Sequence, residues 1–452
     1  MRQPIMYISI ISLVLLAACS FMASANGTTV SQEVKEYSEY DLDMKSEILE
    51  FEEYHITIHY PETPNTQINQ TIIDYVNQIK SKFKQESYQA MQVMKSHSSH
   101  ELHVDFEVLH ESEQYFVIHF DETMDVGYPD ISKSRTIMNF KKENGQRLET
   151  EDLFNQEVDY LQALADLTHE KLEEEFGKEI KQNSFLEKAT APLPSNYQNV
   201  AINSGGVTIF FRDGVQPEEI SLKMDNINEF LHPEITVVEN EALHEAAPSI
   251  EGLKSINING EDVKRPHGEN KKIALTFDDG PHPQKTLEIL KVLERYDAKG
   301  TFFMLGKRVS YYPETAQEVV TEGHEIGNHT WNHPRLTRLS RDEVVRQIQA
   351  TKEIIQHVTG EETTRVRLPF GENLSAPYYG TMEIVPWDVS VETWRKENPR
   401  QIADTFISEI NDGDIVLLHD LEGSTPEVLD LILASLSYEG YEFVTLSQLE
   451  EK

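Results

Sequence analysis

The chain has 452 residues, a formal net charge of −38 and one cysteine. This length allows two or three domains with substantial cores. The acidity argues against nucleic acid and against an anionic membrane surface as electrostatic partners, and a lone cysteine rules out an internal disulfide.

The first 19 residues have the layout of a secretory signal peptide. Arg2 precedes an apolar run from Ile5 to Ala18, which is shorter than the ~20 residues that a membrane-spanning helix needs. The run ends in Leu-Ala-Ala-Cys19, which resembles the bacterial lipobox, in which the cysteine is lipidated and becomes the new N-terminus. We therefore predict that residues 1–19 are a lipoprotein signal peptide and that Cys19 anchors the protein to the outer face of a bacterial cell membrane. The alternative is an uncleaved anchor that continues through Met22.

Residues 20–30 are small and polar and predict a tether, and residues 31–241 predict an α+β accessory region. Period-two alternation indicates strands, and apolar positions at helical spacing indicate amphipathic helices. The clearest segments are strands at 54–60, 103–108 and 207–211 and helices at 72–83 and 160–176. The region shows no grouping of metal ligands or nucleophiles, which favours a binding or spacing role over catalysis.

Residues 242–270 contain several prolines and glycines without periodicity and predict a linker. From 271 to 452, apolar strands alternate with amphipathic helices, which indicates parallel β/α units. The predicted strands are 273–277, 301–305, 325–328, 364–368, 383–389, 414–418 and 443–446, and the predicted helices are 284–296, 313–321, 341–358, 399–410 and 425–437.

The most informative pattern is a pair of adjacent carboxylates followed by two histidines. Asp278 and Asp279 come directly after the first strand of this region, and His329 and His333 follow about 50 residues later. A spacing of four places two imidazoles on one face of a helical turn. One carboxylate and two neutral histidines leave a divalent metal an open position for water, and the second carboxylate is then free to act as a base. The alternative is a solvated turn and two unrelated histidines.

Further motifs follow in a fixed order. The chain has TFDDGP at 276–281, HTWNH at 329–333, RLPFG at 367–371, a tryptophan-containing stretch at 387–394 and LLHD at 417–420. Together they resemble the motifs of the NodB-type polysaccharide deacetylases, carbohydrate esterase family 4. Four of the five motifs are intact. The resemblance implies a distorted (β/α)7 barrel for 271–452, with the motifs at the carboxyl ends of its strands.

The same resemblance implies a metal centre. In the family pattern, Asp279, His329 and His333 bind a divalent metal, which would be zinc. Asp278 would accept the proton of the attacking water, and Arg367 would orient it with its planar guanidinium group.

The remaining motifs imply the oxyanion donor, the acid and the acetyl pocket. The backbone N–H of Phe370 would bind the oxyanion, and His419 would protonate the departing amine. Leu417 and Trp394 would line the pocket for the acetyl methyl group.

The fourth motif departs from the family. Where the family has Asp-x-x-Asp-Trp, this chain has Ser-Val-Glu-Thr-Trp at 390–394. The second family aspartate, at the place of Thr393, normally pairs with the acid histidine and favours its protonated form. Asp388 and Glu392 are the candidates to replace it. A loop, not a full helix, is expected between Gly371 and Trp387.

The predicted function is extracytoplasmic N-deacetylation of peptidoglycan amino sugars, either N-acetylglucosamine or N-acetylmuramic acid. Region 31–241 resembles the extracytoplasmic region of a muramic-acid deacetylase of this family and of a lysozyme-sensing anti-sigma factor, which favours muramic acid. One alternative is O-deacetylation of another polysaccharide such as xylan, although such esterases are more often released than tethered. The other is a binding or sensor lipoprotein with an inactive barrel, which the altered fourth motif favours and the intact metal and base motifs oppose.

Overall fold

The computed structural model describes residues 40–450, except 52, 94–98, 129, 178–183, 213, 236–270, 373, 375–379 and 391–397. The predicted signal peptide with Cys19, the tether and the linker lie outside the described residues. The described residues form an N-terminal part, 40–235, and a C-terminal part, 271–450, within one compact unit. No helix among them is long and apolar enough to cross a membrane.

A six-stranded sheet and one long helix form the first half of the N-terminal part. The elements are β1 (Asp43–Glu50), β2 (Tyr54–Glu62), α1 (Thr66–Val93), β3 (His100–Glu111), β4 (Tyr115–Asp125), β5 (Ser132–Lys141) and β6 (Arg147–Leu148). The strands lie side by side in chain order. Only β2 and β3 pair in parallel, because α1 connects them as a crossover. The predicted strands at 54–60 and 103–108 are confirmed within β2 and β3.

One face of this sheet is the apolar face that alternation predicts. Ile56, Ile58, Leu102 and Val104 are fully buried in a single core with the apolar stripe of α1. That stripe recurs every three or four residues, as an amphipathic helix requires, and comprises Ile68, Ile72, Val76, Ile79 and Phe83. The helix predicted at 72–83 is therefore the middle of a longer helix.

A smaller layer completes the N-terminal part. Its elements are α2 (Thr150–Leu153), α3 (Tyr160–Phe176), α4 (Ser184–Ala189), β7 (Val200–Asn203), β8 (Gly206–Phe210), β9 (Glu219–Lys223) and α5 (Met224–Ile227). The three strands form an antiparallel sheet. The Asp159 carboxylate caps α3 by accepting the Gln162 N–H at 3.1 Å. The predicted helix at 160–176 is confirmed, and so is the predicted strand near 207–211.

The C-terminal part consists of alternating strands and helices. The strands are β10 (Lys271–Gly280), β11 (Thr301–Met304), β12 (Glu325–Asn328), β13 (Arg365–Val366), β14 (Glu383–Ile384), β15 (Ile415–His419) and β16 (Tyr441–Val444). The helices are α6 (Lys285–Arg295), α7 (Gly306–Tyr311), α8 (Pro313–Thr321), α9 (Arg341–Thr359), α10 (Pro399–Glu409), α11 (Thr425–Tyr438) and α12 (Leu446–Glu450).

All seven strands are parallel, in the order β14-β13-β12-β11-β10-β15, and β16 pairs with the first half of β10. A bridge between Val389 and Val416 links the segment after β14 to β15. This arrangement confirms the predicted distorted (β/α)7 barrel. Helices α7 and α12 were not predicted, because they are too short to show a helical period, and β13 and β14 are shorter than predicted.

The side chains of β10 alternate between the apolar core beneath the helices and the interior of the barrel. Ile273, Leu275 and Phe277 are fully buried in the apolar cluster formed with the surrounding helices. Thr276 and Asp278 have the opposite orientation and are also buried. The strand therefore delivers a carboxylate to the interior at its carboxyl end, where barrel enzymes place their chemistry.

Candidate metal centre and catalytic site

Two neighbouring strands bring three of the predicted site residues together. In the pairing of β10 with β15, Asp278 is opposite His419 and Thr276 is opposite Leu417. Partners in register point to the same face of a sheet. The structure therefore places the predicted base, the predicted acid and the predicted pocket residue Leu417 side by side. Leu417 is buried and His419 is half-buried.

The two adjacent aspartates serve one site because the strand is irregular at this point. The pairing of β10 with β11 shifts register between Asp278 and Gly280, and Asp279 has a φ of 74°. A non-glycine residue rarely adopts this left-handed conformation. It takes the Asp279 side chain out of the strand's alternation. Gly280 is required beside it, because a β carbon there would lie 2.1 Å from the Asp420 carboxylate.

His329 and His333 lie on a loop, so the prediction that they share the face of a helical turn is wrong. Thr330 and His333 have φ values of 70° and 59°, which no right-handed helix allows. Local bonds fix the loop: Asn328 Oδ1 accepts the Thr330 N–H at 2.9 Å, and Thr330 Oγ1 accepts the His333 N–H at 3.2 Å. The loop still brings the two imidazole centroids to 5.0 Å.

Asp279, His329 and His333 form a three-ligand cluster. Asp279 Oδ1 lies 3.4 Å from His329 Nε2 and 3.5 Å from His333 Nε2. All three side chains are buried, and within the described residues Asp279 Oδ1 has no hydrogen-bond partner. Burial opposes ionisation of Asp279, but the facing imidazoles outweigh it and hold the pKa of this carboxyl well below its usual value. A buried carboxylate oxygen without a donor, facing two ring nitrogens, fits a divalent cation.

The orientation of the first histidine supports that fit. His329 Nδ1 lies 2.8 Å from the backbone carbonyl of Arg367, which can only accept. The ring therefore carries its proton on Nδ1 and presents the Nε2 lone pair to the cluster. Metal-binding histidines are commonly held in this way.

Arg367 holds Asp278 in a fixed position. Its Nη1 donates to Asp278 Oδ1 at 2.9 Å and to the Thr276 hydroxyl at 2.7 Å. Its other nitrogens donate to the carbonyls of Val385 and Pro386 at 3.1 and 3.2 Å. The Arg367 side chain is only 1% exposed. Asp278 Oδ2 lies 3.8 Å from His329 Nε2, on the side of the three-ligand cluster.

Phe370 joins the same cluster through an unusual backbone. Its φ is 59°, between Pro369 and Gly371. Its ring packs edge-to-face on the His333 imidazole, with centroids 4.6 Å apart. The predicted oxyanion donor therefore lies next to a predicted metal ligand.

The fourth motif lies largely outside the described residues, including Glu392, Thr393 and Trp394. Asp388 is described, and its carboxylate accepts the Ile415 N–H at 2.9 Å. Ile415 begins β15 and His419 ends it, so Asp388 lies at the opposite end of the strand and is not the partner of His419. Between Gly371 and Trp387, the described residues contain the short strand β14 and no helix, which agrees with the predicted loop.

No site residue was predicted in the N-terminal sheet, yet this sheet contacts the site. The His55 ring stacks on Phe370 with centroids 4.4 Å apart and planes 5° apart. Thr57 Oγ1 lies 3.4 Å from His333 Nδ1. Desolvation raises the pKa of Glu50, the cross-strand partner of His55, and the neighbouring His419 imidazole opposes that shift. The available signal was the set of polar residues at alternate positions of β2, which would ordinarily face water.

Two family models match the chain. The polysaccharide deacetylase family matches residues 265–379. A family described as a protein of unknown function (DUF3298) matches residues 151–215, within the N-terminal part.

Individual relatives extend over more of the chain. The peptidoglycan-N-acetylmuramic acid deacetylase PdaC of Bacillus subtilis is 31% identical over 94% of this chain and 91% of its own length. The peptidoglycan-N-acetylglucosamine deacetylase PgdA of Listeria monocytogenes is 39% identical over 40% of this chain and 39% of its own length. A solved structure of Bacillus subtilis PdaC is 43% identical, covers 40% of this chain and 91% of the solved chain, and has a TM-score of 0.39.

Proposed function

Because this chain belongs to the polysaccharide deacetylase family, we propose that it is a metal-dependent enzyme that removes N-acetyl groups from amino sugars of peptidoglycan. One observation carries the proposal. The buried Asp279 Oδ1, which has no hydrogen-bond donor among the described residues, faces the two histidine nitrogens, and the Asp278–Arg367 pair lies beside them.

Asp279, His329 and His333 would hold the metal, and zinc is the ion that suits one carboxylate and two imidazoles with an open position. When bound, such an ion polarises a carbonyl group and lowers the pKa of water. The chain's own residues then have to supply the base, the acid and the oxyanion donor.

Asp278 would accept the proton of the attacking water, and its bond to Arg367 leaves one of its two oxygens free for that role. Arg367 occupies Oδ1, so Oδ2 faces the cluster. Attack forms a C–O bond to the acetyl carbon, and the backbone N–H of Phe370 would donate to the oxygen that gains charge. His419 would give a proton to the nitrogen as the C–N bond breaks, which releases acetate and a free amino sugar.

Leu417 supports the acetyl specificity of this scheme. It is buried, and its register partner Thr276 bonds to Arg367. An apolar side chain next to the base would accept the methyl group of an acetamide. Trp394 is proposed as a further wall from its motif alone.

For the sugar we propose N-acetylmuramic acid. The relative named for that sugar aligns with 94% of this chain, N-terminal part included, whereas PgdA aligns with 40%. N-acetylglucosamine is the second candidate.

We further propose that the protein acts outside the cell, held to the membrane by lipid on Cys19. The short apolar run before Leu16-Ala17-Ala18-Cys19 supports this location. Several acyl chains on one cysteine would hold the protein firmly, since each buried methylene group adds to membrane affinity.

Mass spectrometry of peptidoglycan fragments tests the activity and the sugar together. Protein comprising residues 20–452 is loaded with zinc and incubated with defined fragments, and Asp278→Asn is the matched inactive control. Loss of one N-acetyl group on muramic acid is expected. Loss only from glucosamine would replace the sugar assignment, and release of O-acetyl groups alone from acetylated xylan would contradict N-deacetylation.

A further inference from the structure

The polar face of the N-terminal sheet is buried against the loop that carries His333. Thr57 and His59 are 1% and 0% exposed, and Glu101 on β3 is 4% exposed. Polar groups removed from water need hydrogen-bond partners, because an unpaired one costs free energy. The partners of this face are residues of the barrel, so its composition suits the catalytic part of the chain.

Thr57 is the outer partner of a metal ligand. The Nε2 atom of His333 faces Asp279, which leaves Nδ1 to carry the ring proton and to donate to Thr57 Oγ1 at 3.4 Å. His329 has the corresponding bond to the Arg367 carbonyl, within the barrel. The two histidines of one cluster are thus oriented by different parts of the chain.

Two histidines of the sheet hold the residue before His333. His59 Nε2 and His103 Nε2 lie 3.1 and 2.9 Å from the Asn332 carbonyl oxygen, and both must donate to it. Burial lowers the pKa of His59 to about 3, so its ring is neutral. Ser46 Oγ lies 2.7 Å from His59 Nδ1 and donates there, which leaves the ring proton on Nε2.

The same polar face connects this loop to the segment that follows the proposed ligand Asp279. Arg308 Nε donates to the Pro281 carbonyl at 2.8 Å, two residues after Asp279, and its Nη1 donates to Ser46 Oγ at 2.7 Å. A continuous chain of hydrogen bonds therefore runs from Pro281 through Arg308, Ser46 and His59 to Asn332. One end of this chain of hydrogen bonds lies two residues after Asp279, and the other lies directly before His333.

An ion pair between β3 and the barrel also holds the loop that carries His333. Asp105 on β3 accepts from Lys307 Nζ at 2.5 Å and from Asn332 Nδ2 at 2.6 Å. The sheet therefore holds the backbone carbonyl of Asn332 through two histidines and its side-chain Nδ2 through a carboxylate. His333 follows with a left-handed backbone, a conformation that persists only where the surroundings enforce it.

We propose that the polar face of the N-terminal sheet is part of the catalytic centre, and that Thr57, His59 and His103 are positioning residues for the ligand His333. This inference rests on the proposed metal centre. It makes residues 43–111 a structural component of that centre and not a spacer.

Zinc affinity of the protein comprising residues 20–452, measured by competition with a chromophoric chelator, tests the proposal. Thr57→Val keeps the shape of the side chain and removes the hydroxyl group. It should weaken zinc binding about 10- to 100-fold, the range for loss of an outer-shell partner. Thr57→Ser keeps the hydroxyl group and should bind nearly as tightly as the wild type.

Thr208→Val is the matched control. Thr208 is a buried threonine whose hydroxyl bonds to Ser221 within the three-stranded sheet, away from the cluster. It should leave zinc affinity unchanged even if the unfolding temperature falls. Should Thr57→Val fail to fold, His103→Phe replaces it: that residue is half-buried, and loss of one donor to Asn332 should weaken binding about 5-fold.

The results separate this inference from the proposed function. Wild-type protein that binds no divalent metal would overturn the metal centre itself. Wild-type protein that binds zinc, together with a folded Thr57→Val of equal affinity, would overturn only the positioning role. Equal weakening by Thr57→Val and Thr57→Ser would also overturn it, because the hydroxyl group would then not be the cause.

Discussion

Thr57 and His333 are separated by 276 residues, yet the threonine hydroxyl oxygen lies 3.4 Å from Nδ1 of the imidazole. The contact joins a strand of the N-terminal sheet to a loop of the barrel. Because a metal ligand keeps its orientation through its second ring nitrogen, this contact places the N-terminal sheet within the proposed catalytic centre.

The first prediction concerns the metal. The protein should bind one divalent ion per chain, and His333→Ala should retain little of it after dialysis, because one of three ligands is lost. Elemental analysis measures the content. His357→Ala, an exposed histidine on α9, is the control and should keep a full equivalent. A full equivalent in His333→Ala as well would show that the ligand assignment is wrong.

Much of the barrel could be predicted because its signals are local. Helix α9 begins with a capping box formed by Ser340 and Glu343 and ends at Gly360 in a left-handed conformation, and both are visible in the sequence. The site residues follow strand ends directly, so motif order alone brought Asp279, His329 and Arg367 together.

The geometry of the site was harder to predict from the sequence. The spacing of His329 and His333 suggested a helical turn, but left-handed residues at 330 and 333 give the same proximity through a loop. Spacing alone does not distinguish the two. The contacts of the N-terminal sheet with the site left a still weaker signal in the sequence, because alternation in β2 identifies a polar face but not what covers it.

The second prediction concerns the orientation of the base. Arg367→Lys should lower kcat about 100-fold, because an ammonium group cannot hold Asp278, Thr276 and two carbonyls at once and misplacement by about 1 Å has that effect. Metal content should stay unchanged. Arg365→Lys is the control: Arg365 lies two residues earlier and bonds to Glu325 and Glu450 instead. It should affect stability only, and an equal fall in kcat would contradict the assignment.

The third prediction concerns the ion pair between Asp105 and Lys307. Burial opposes ionisation of Asp105, but Lys307 outweighs it, so the pKa of this carboxyl is lowered in the folded protein. A lowered folded pKa stabilises the fold above the unfolded pKa of about 3.9, and the contribution is lost as pH falls below it. Asp105→Asn should lower the free energy of unfolding by about 3 kcal/mol at neutral pH. The difference from the wild type should shrink below about pH 4.

Urea unfolding at several pH values measures this difference. Asp121→Asn is the control, because Asp121 pairs with Arg135 on the same sheet at 2.7 Å but is half exposed. Such pairs contribute about 0–1 kcal/mol. Equal losses in the two variants would show that the more buried pair of Asp105 and Lys307 has no special role.

The fourth prediction concerns membrane attachment. Cys19→Ser should abolish acyl labelling and leave the full precursor, since the lipid acceptor is the only cysteine in the chain. Metabolic labelling with a fatty acid and immunoblotting of membrane fractions measure both effects. Unchanged processing and labelling in the variant would rule out the lipoprotein assignment.

The last prediction concerns the acid and its missing partner. His419→Ala should reduce kcat about 10²–10⁴-fold, the range for a positioned acid. Thr393 stands where the family pattern has the carboxylate that favours the protonated imidazole. By the family pattern, Thr393→Asp restores that carboxylate, so more of the protonated imidazole should remain on the alkaline side of the pH–rate profile. The alkaline limb should therefore move upward by about one pH unit.

Asp388→Asn is the matched control for that shift. The Asp388 carboxylate accepts the Ile415 N–H at the far end of β15, so its removal should leave the limb in place while it weakens the strand. A limb that moves with Asp388→Asn would show a long-range charge effect instead of a local partner. An unmoved limb in Thr393→Asp, with activity abolished in His419→Ala, would assign the partner role to Glu392 or another group. If His419→Ala keeps nearly full activity, His419 is not the general acid, and a carboxylate partner for it has no role in the rate.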